Sequence, residues 1–282
     1  MLHTVNHFRA FIDDPWVFAK VAVDHALSDI YAMGGTPVTA LTVMTLPFAT
    51  PAKTRELLEL LLRGAMEQLA ADDVALIGGH TGEGMELSLG FAVNGLADRG
   101  APLHKSGLQT DDALILTKAL GTGALFAADM QAKAKGAWID AAIESMLQSN
   151  RDAARLLTEG GATAMTDITG FGLAGHLNEM LIASNKGATL EPGEVPALPG
   201  LRDVLSEGIR STLHEGNARS VEIPDTGDWR SAMLVDPQTS GGLLAGVPAD
   251  GAYDRRASCT APAMTRLVSS AASRRTRGMV IS

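Results

Sequence analysis

Four short stretches hold side chains and backbone types that can do chemistry. Asp29, in LSDIYAMGG, places a carboxylate in the last turns of a helix-like run. The run Gly78-Gly79-His80-Thr81 directly follows the apolar VALI. Thr166-Asp167-Ile168-Thr169-Gly170-Phe171-Gly172-Leu173 sets a second acid before a pair of glycines that bracket a turn into a helix. Asp236-Pro237-Gln238-Thr239-Ser240-Gly241-Gly242-Leu243-Leu244 joins a carboxylate, a proline-fixed turn, two hydroxyls and a Gly pair, then enters an apolar run. Carboxylates of this kind suit Mg²⁺, which takes hard oxygens from one or two acids plus phosphate. Gly-rich backbone and helix N-termini offer N–H groups to an anion. Each stretch also has an ordinary reading. Asp29 can be a solvated polar-face residue, GGHT a plain turn at a strand end, and Asp167 an Asx-turn or N-cap residue. DPQTSGGLL can be a structural turn. His176 and Glu179, three apart on a helix, read as structural.

The elements that must hold these residues follow from periodicity and turn signals. Residues 3–8 predict a short strand. Asp14-Pro15 opens a helix, with Asp as N-cap and Pro at N1, and Gly34-Gly35 ends it. The β-branched alternation of 37–46 predicts a strand, and Thr50-Pro51 starts a helix with Leu57, Leu58, Leu60, Leu61 and Leu62 on a broad apolar face. VALIGG (74–79) reads as a buried strand and 86–97 as another, which gives the order β-α-β-α-β-β. The polar, turn-rich 97–112 marks a boundary. Beyond it, 113–118 reads as a strand, 120–131 and 137–160 as helical, 164–169 as a strand leading into a helix, and 186–230 as a variable segment before the strand 243–247. Strand–helix alternation of this kind predicts an α/β layered fold in two domains. The first spans 1–100 and the second 101–249, with a tail over 250–282.

Bulk properties bound the function classes. The 282 residues suit two ordinary domains, and an apolar share of 46% with only 4% aromatics predicts a core of Ala, Val, Leu and Met. The net charge is −9 with no basic stripe before residue 250, which argues against nucleic acid as a partner. An acidic chain still binds a nucleotide where Mg²⁺ and backbone N–H groups carry the phosphates. The one cysteine, Cys259, rules out an intramolecular disulfide and fits a reducing cytoplasm. MLHTVNHFRAF lacks the apolar core of a signal peptide, and no apolar run reaches the ~18 residues of a membrane helix.

Taken together, LSDIYAMGG, GGHT, TDITGFGLAGHLNEM and DPQTSGGLL occur in the order and at roughly the spacing of the selenide, water dikinases, which the chain resembles from about residue 4 to about 248. The resemblance implies the aminoimidazole-ribotide-synthetase-like architecture. That is an N-terminal sheet domain and a C-terminal α/β sandwich, pairing of the N-terminal sheets in a homodimer, and ATP bound at the domain and subunit junction. It implies Mg²⁺-dependent phosphoryl transfer from ATP to hydrogen selenide, giving selenophosphate, AMP and orthophosphate. Carried over by position, Asp29 matches an aspartate that binds Mg²⁺ and ATP. Gly79, His80 and Thr81 match an ATP-contacting segment, and Asp167 matches a further Mg²⁺ aspartate. Thiamine-phosphate kinase and the purine cyclo-ligase share the superfamily, and DPQTSGGLL speaks against both. A non-catalytic ATP-binding or dimerisation module is the remaining alternative.

Three departures accompany the resemblance. The family's Gly-rich loop with a reactive Cys or selenocysteine and a Lys, and the acidic DDA segment after it, have no counterpart in these 282 residues, so no catalytic residue is assigned. Asn6 stands where the family has an ATP-contacting Asp; it keeps shape and an acceptor oxygen but loses the charge. The tail carries Arg255, Arg256, Arg266, Arg274, Arg275 and Arg277 and does not resemble the family; its composition predicts disorder. A mis-started gene model with an altered tail is the expectation, and the flanking DNA tests it.

Overall fold

The computed structural model describes residues 1–97, 102–221, 223 and 227–249, and the backbone of 265–267 and 278–281. The chain divides into two compact units, Met1–Pro102 with Met146–Arg151, and Leu103–Ser145 with Asp152–Ser282.

The first unit has the element order β1 (Leu2–Arg9), α1 (Pro15–Ala32), β2 (Thr36–Pro47), α2 (Pro51–Ala71), β3 (Ala75–Gly84) and β4 (Ser88–Leu96). The expected β-α-β-α-β-β order is therefore the observed one. The strands form one sheet in the order β1-β4-β2-β3, with β2 and β3 parallel and the other pairs antiparallel. Asp14 caps α1 as expected: its Oδ1 accepts from the N–H groups of Trp16 (2.9 Å) and Val17 (3.1 Å), ahead of Pro15. Most of α1 is buried, and Phe18, Val21, Val23, Leu27 and Ile30 reach the core. Helix α2 buries a narrower stripe, Leu61, Gly64, Ala65 and Leu69, at the spacing of one helical face.

Two expectations fail at β3. VALIGG reads as a buried strand because continuous apolar runs mark strands covered on both faces. Instead β3 is an edge strand, and Ile77 is 58% exposed. GGHT does not follow the strand but lies within it, because pairing with β2 continues to Gly84 through a register shift between Ala40 and Leu41.

In the second unit, β5 (Asp112–Leu116) is followed by α3 (Thr122–Asp129), α4 (Gly136–Met146), α5 (Arg151–Glu159), β6 (Ala164–Asp167), α6 (Gly172–Ser184) and β7 (Gly187–Leu190). Then come α7 (Leu201–Ser206), α8 (His214–Ser220), α9 (Trp229–Leu234), β8 (Leu243–Pro248), β9 (Thr265–Leu267) and β10 (Gly278–Ile281). The main sheet has the order β6-β8-β5-β9, and β10 pairs with β7 in parallel. The variable-looking 186–230 thus contains β7, α7, α8 and the start of α9. Apart from the backbone of β9 and β10, the disorder expected for 250–282 falls outside the described residues.

The single helix expected over 137–160 is two, because 146–151 belongs to the first unit. There Asn150 Nδ2 donates to Ser28 Oγ (2.9 Å), Ser149 Oγ to Asp72 Oδ1 (3.2 Å), and Arg151 Nη2 to Asp73 Oδ2 (3.0 Å). Tyr31 Oη also donates to Asp72 Oδ1 (2.9 Å). Burial pushes the Asp72 carboxyl up, against the lowering pull of these donors, and pushes the Tyr31 phenol up as well.

Candidate functional site

Alternation along β1 sets Thr4 and Asn6 on the face that α1 covers. Asn6 Nδ2 donates to Asp29 Oδ2 at 2.8 Å, and Thr4 Oγ1 donates to the same oxygen. The structure therefore brings Asn6 and Asp29 together, and it adds Thr4, which sequence reasoning missed. The available signal was the i, i+2 spacing of two polar residues in a strand whose other inward positions are Leu2 and Phe8. An acid near a helix C-terminus is disfavoured by the helix dipole; two donors on one oxygen offset that cost at Asp29.

Gly79 shares a cross-strand row with Asn6, through Phe91 and Thr42. It stands three strand spacings away, about 14 Å. A Cβ on Gly79 would sit 2.3 Å from the Thr42 carbonyl oxygen, so only glycine fits this close approach. Thr81 occupies the row of Phe8, Leu89 and Met44, whereas His80 falls in the row of His7, Gly90 and Val43, on the opposite face. The GGHT backbone lies on the edge strand, whose outer N–H groups have no strand partner among the described residues. Such a row can meet an anion.

The donor set at Asp29 fits Mg²⁺. Both protein hydrogen bonds fall on Oδ2, which leaves Oδ1 to ligate a cation. Among the described residues no three or more His, Cys, Asp and Glu side chains gather as a metal cage, so a cation on Asp29 would draw its other ligands from phosphate and water.

Asp167 lies in the second unit. It is buried, ends β6 and pairs in register with Leu243 of β8. The N-cap of α6 is Phe171, with no side-chain cap, so Asp167 does not cap that helix. His176 is structural: the Thr169 N–H donates to its Nε2 at 3.1 Å, which puts the ring proton on Nδ1, 3.6 Å from Glu179 Oε2. Glu179 in turn pairs with Lys105 at 2.6 Å.

The DPQTSGGLL segment organises the start of α3. Gln238 Oε1 accepts from Gly121 N–H (2.9 Å), Thr122 N–H (3.2 Å) and Thr122 Oγ1 (3.2 Å). Its Nε2 donates to Asp236 O (2.9 Å) and Asp236 Oδ2 (3.1 Å). Thr239 N–H donates to Thr122 Oγ1 (3.0 Å), and the buried Lys118 donates through Nζ to Ser240 O (2.9 Å). Gly242 passes so near β5 that a Cβ there would lie 2.5 Å from Lys118 N. Asn217 Nδ2 donates to Gly170 O (2.8 Å) and to Val235 O (3.0 Å), the residue just before DPQTSGGLL.

Asp236 is fully buried, and desolvation pushes its carboxyl up to about 7. The amides of Ala124 and Gly123 and the Gln238 side chain pull the other way. The ordinary value is 3.8, so across the interval the unfolded chain has released a proton that the folded chain still holds. The contribution of Asp236 is complete below the unfolded value and is lost as the pH rises through about 7. Relative to Asp236→Asn, the wild type should therefore lose on the order of 2–3 kcal/mol between pH 5 and pH 8, at about 1.4 kcal/mol per pKa unit. Urea unfolding of both proteins at the two pH values checks this.

A cavity of about 590 Å³ in the second unit is lined by residues of α7, α8 and α9, His214 and Trp229 among them, and of the loops beside them, including Arg210. None of Asn6, Asp29, Gly79, His80, Thr81 or Asp167 lines it. Burial, followed by the Arg210 charge, pushes the His214 imidazole down. No helix among the described residues is long and apolar enough to cross a membrane.

Comparison with known proteins adds to this geometry. Residues 1–97 match the N-terminal domain of AIR synthase related proteins, and residues 109–263 match the C-terminal domain. The chain is 38% identical over 255 residues to a selenide, water dikinase of Pelobacter propionicus, covering 88% of this chain and 72% of that protein. It is 34% identical over 270 residues to one of Yersinia pestis, covering 94% and 76%. Among solved structures, a thiamine-monophosphate kinase from Stenotrophomonas maltophilia superposes with a TM-score of 0.77 at 19% identity, covering 100% of this chain and 84% of that one. The E. coli hydrogenase maturation protein HypE gives 0.72 at 15%, covering 99% and 81%. At such identities these two structures speak to the fold. The sequence relatives speak to the family: the chain belongs to the selenide, water dikinases and has their two AIR-synthase-related domains.

Proposed function

We propose that the chain serves the ATP-dependent phosphorylation of hydrogen selenide to selenophosphate, with AMP and orthophosphate as the other products and one water consumed. The product supplies selenocysteine and selenouridine synthesis. The observation that carries this reading is Asp29, held through one carboxylate oxygen beside Asn6 with the other oxygen free to ligate, in a chain 38% identical to a selenide, water dikinase. Asp29 in the first unit and Asp167 in the second would each be a ligand for Mg²⁺, which neutralises phosphate charge when bound and aligns the reactants. Asn6, the Gly79–Thr81 backbone and His80 would contact ATP. The acidic chain with one cysteine works in the cytoplasm and takes neither nucleic acid nor membrane as a partner.

The chain acts as a homodimer paired through its N-terminal sheet. Support comes from the face of that sheet opposite α1 and α2. Val5 and Leu41 share one row there through Ala92, and Val43 lies in the next. Val5 is 67% exposed, and Leu41 and Val43 are also open. Exposed apolar patches of this kind mark association surfaces. Val43→Asp is expected to shift the dimer to monomer by about 100-fold or more in dissociation constant, since a desolvated unpaired charge costs several kcal/mol. Sedimentation velocity across a concentration series reads the shift.

A second reading is favoured by one feature: Asn6 lacks the charge of the ATP-contacting acid that the family has at that position. On that reading the chain binds Mg²⁺ and ATP without turnover. Anaerobic incubation with ATP, Mg²⁺ and selenide, followed by separation of the adenine nucleotides, tests both. AMP appearing in step with selenide supports the dikinase reading. ATP bound but left intact favours the second. ADP and orthophosphate formed without regard to selenide overturn both in favour of a simple ATP hydrolase.

A further inference from the structure

We infer that Asn6 and Thr4 form a brace that takes the place of a cation on one oxygen of Asp29, so that Asp29 is a one-oxygen ligand whose site is ordered before any metal arrives. The inference rests on the reading of Asp29 as a cation ligand. Its argument begins with hydrogen-bonding capacity. A carboxylate oxygen accepts two hydrogen bonds comfortably, and Oδ2 already receives one from Asn6 Nδ2 at 2.8 Å and one from Thr4 Oγ1. Both protein hydrogen bonds fall on Oδ2 and leave Oδ1 for a cation, and Asp29 is half-buried rather than solvated freely. A carboxylate fixed this way cannot rotate to chelate through both oxygens without breaking both bonds.

The two donors come from a strand, and the acceptor from a helix. Thr4 and Asn6 are two residues apart on β1 and lie on its helix-covered face, in register with Val93 and Phe91 of the neighbouring strand. Val93 and Phe91 are fully buried, so the strand beneath the brace is rigidly packed. The brace is therefore as well positioned as the core, and the metal-free chain needs no counter-ion to hold Asp29 against β1. Asn6 matters here for what it donates. An acid at that position would present an oxygen 2.8 Å from Oδ2 in place of the N–H, and two carboxylates so close demand a shared proton or a cation. Asn6 and Thr4 are positioning residues: they act on the cation through Asp29.

The test uses Asn6→Asp in the full 282-residue chain, with manganese as the probe and no nucleotide. Binding is followed by the electron paramagnetic resonance of free Mn²⁺, and melting is followed in EDTA and in saturating Mn²⁺. The variant is expected to bind Mn²⁺ at least tenfold more tightly than the wild type. It should melt below the wild type in EDTA, and Mn²⁺ should close that gap. The wild type, which binds Mn²⁺ more weakly and has its brace already in place, should gain less than the variant between EDTA and Mn²⁺. Both gains should vanish in the double variant Asn6→Asp/Asp29→Asn. Asn6→Ala, which removes the donor without adding charge, should show no tenfold gain. Equal Mn²⁺ affinity and equal melting of Asn6→Asp and wild type in EDTA would overturn the inference. So would an Asn6→Asp chain that stays unfolded in saturating Mn²⁺, or a gain that survives removal of Asp29. None of these readouts depends on selenide chemistry, so failure of the functional reading is seen separately, in the nucleotide products.

Discussion

Asp29→Asn is expected to weaken Mg²⁺-dependent ATP binding by about 100-fold, the scale on which single charge-stabilising groups at phosphoryl sites act, while the melting temperature moves little. The stability side is small because two effects oppose. The variant exchanges charge-assisted bonds from Asn6 and Thr4 for neutral ones, a loss of roughly 1 kcal/mol. It also removes an acid from the unfavourable end of α1, a gain of a few tenths to about 1 kcal/mol. Titration calorimetry of ATP with Mg²⁺, set beside thermal melts, separates the two. Asp167→Asn should behave the same way, binding falling far more than stability. If its stability collapses while binding per folded molecule is unchanged, Asp167 is a structural residue of the β6 terminus and not a ligand.

The second large effect lies in the DPQTSGGLL segment and is one of stability. Gln238 is 3% exposed, and its side chain makes five hydrogen bonds, three received by Oε1 from the start of α3 and two given by Nε2 to Asp236. Gln238→Ala strands the Gly121 and Thr122 donors and removes one of the donors to a buried carboxyl. The expected loss is about 3–5 kcal/mol, the range for breaking a buried polar network. Gln238→Glu keeps the acceptor oxygen but opposes a second acid to Asp236, so its deficit should grow as the pH rises. Urea unfolding followed by circular dichroism reads both. A Gln238→Ala chain within 1 kcal/mol of wild type would show that solvent replaces the side chain, which its burial argues against.

The N-terminal unit was readable because its signals are local. Asp14-Pro15, Thr50-Pro51 and the alternation of β2 each act within a few residues, and the elements form where those signals stand. The error at VALIGG has a physical cause. A run of apolar residues fits a strand covered on both faces, and equally an edge strand whose open face stays apolar, and only the strand order β1-β4-β2-β3 distinguishes them. The break of 137–160 was hidden for a related reason: Ser149 and Asn150 interrupt the helix because they bond Asp72 and Ser28, more than 70 positions away in sequence. Motif reading found Asn6 and Asp29 separately, and the fold joined them. Thr4 went unseen since a threonine in a strand is ordinary until the helix acid above it is known. Gln238 went unrecognised because its partners, Gly121 and Thr122, precede it by more than 110 residues.

The most direct test of the account is a calorimetric titration of ATP into the folded wild-type chain, once with Mg²⁺ and once in EDTA. The account predicts binding with Mg²⁺ that weakens at least tenfold, about 1.4 kcal/mol or more, when the metal is withdrawn, because Asp29 meets the phosphates through a cation. ATP that binds equally well in EDTA, or fails to bind a well-folded sample in either buffer, would contradict it.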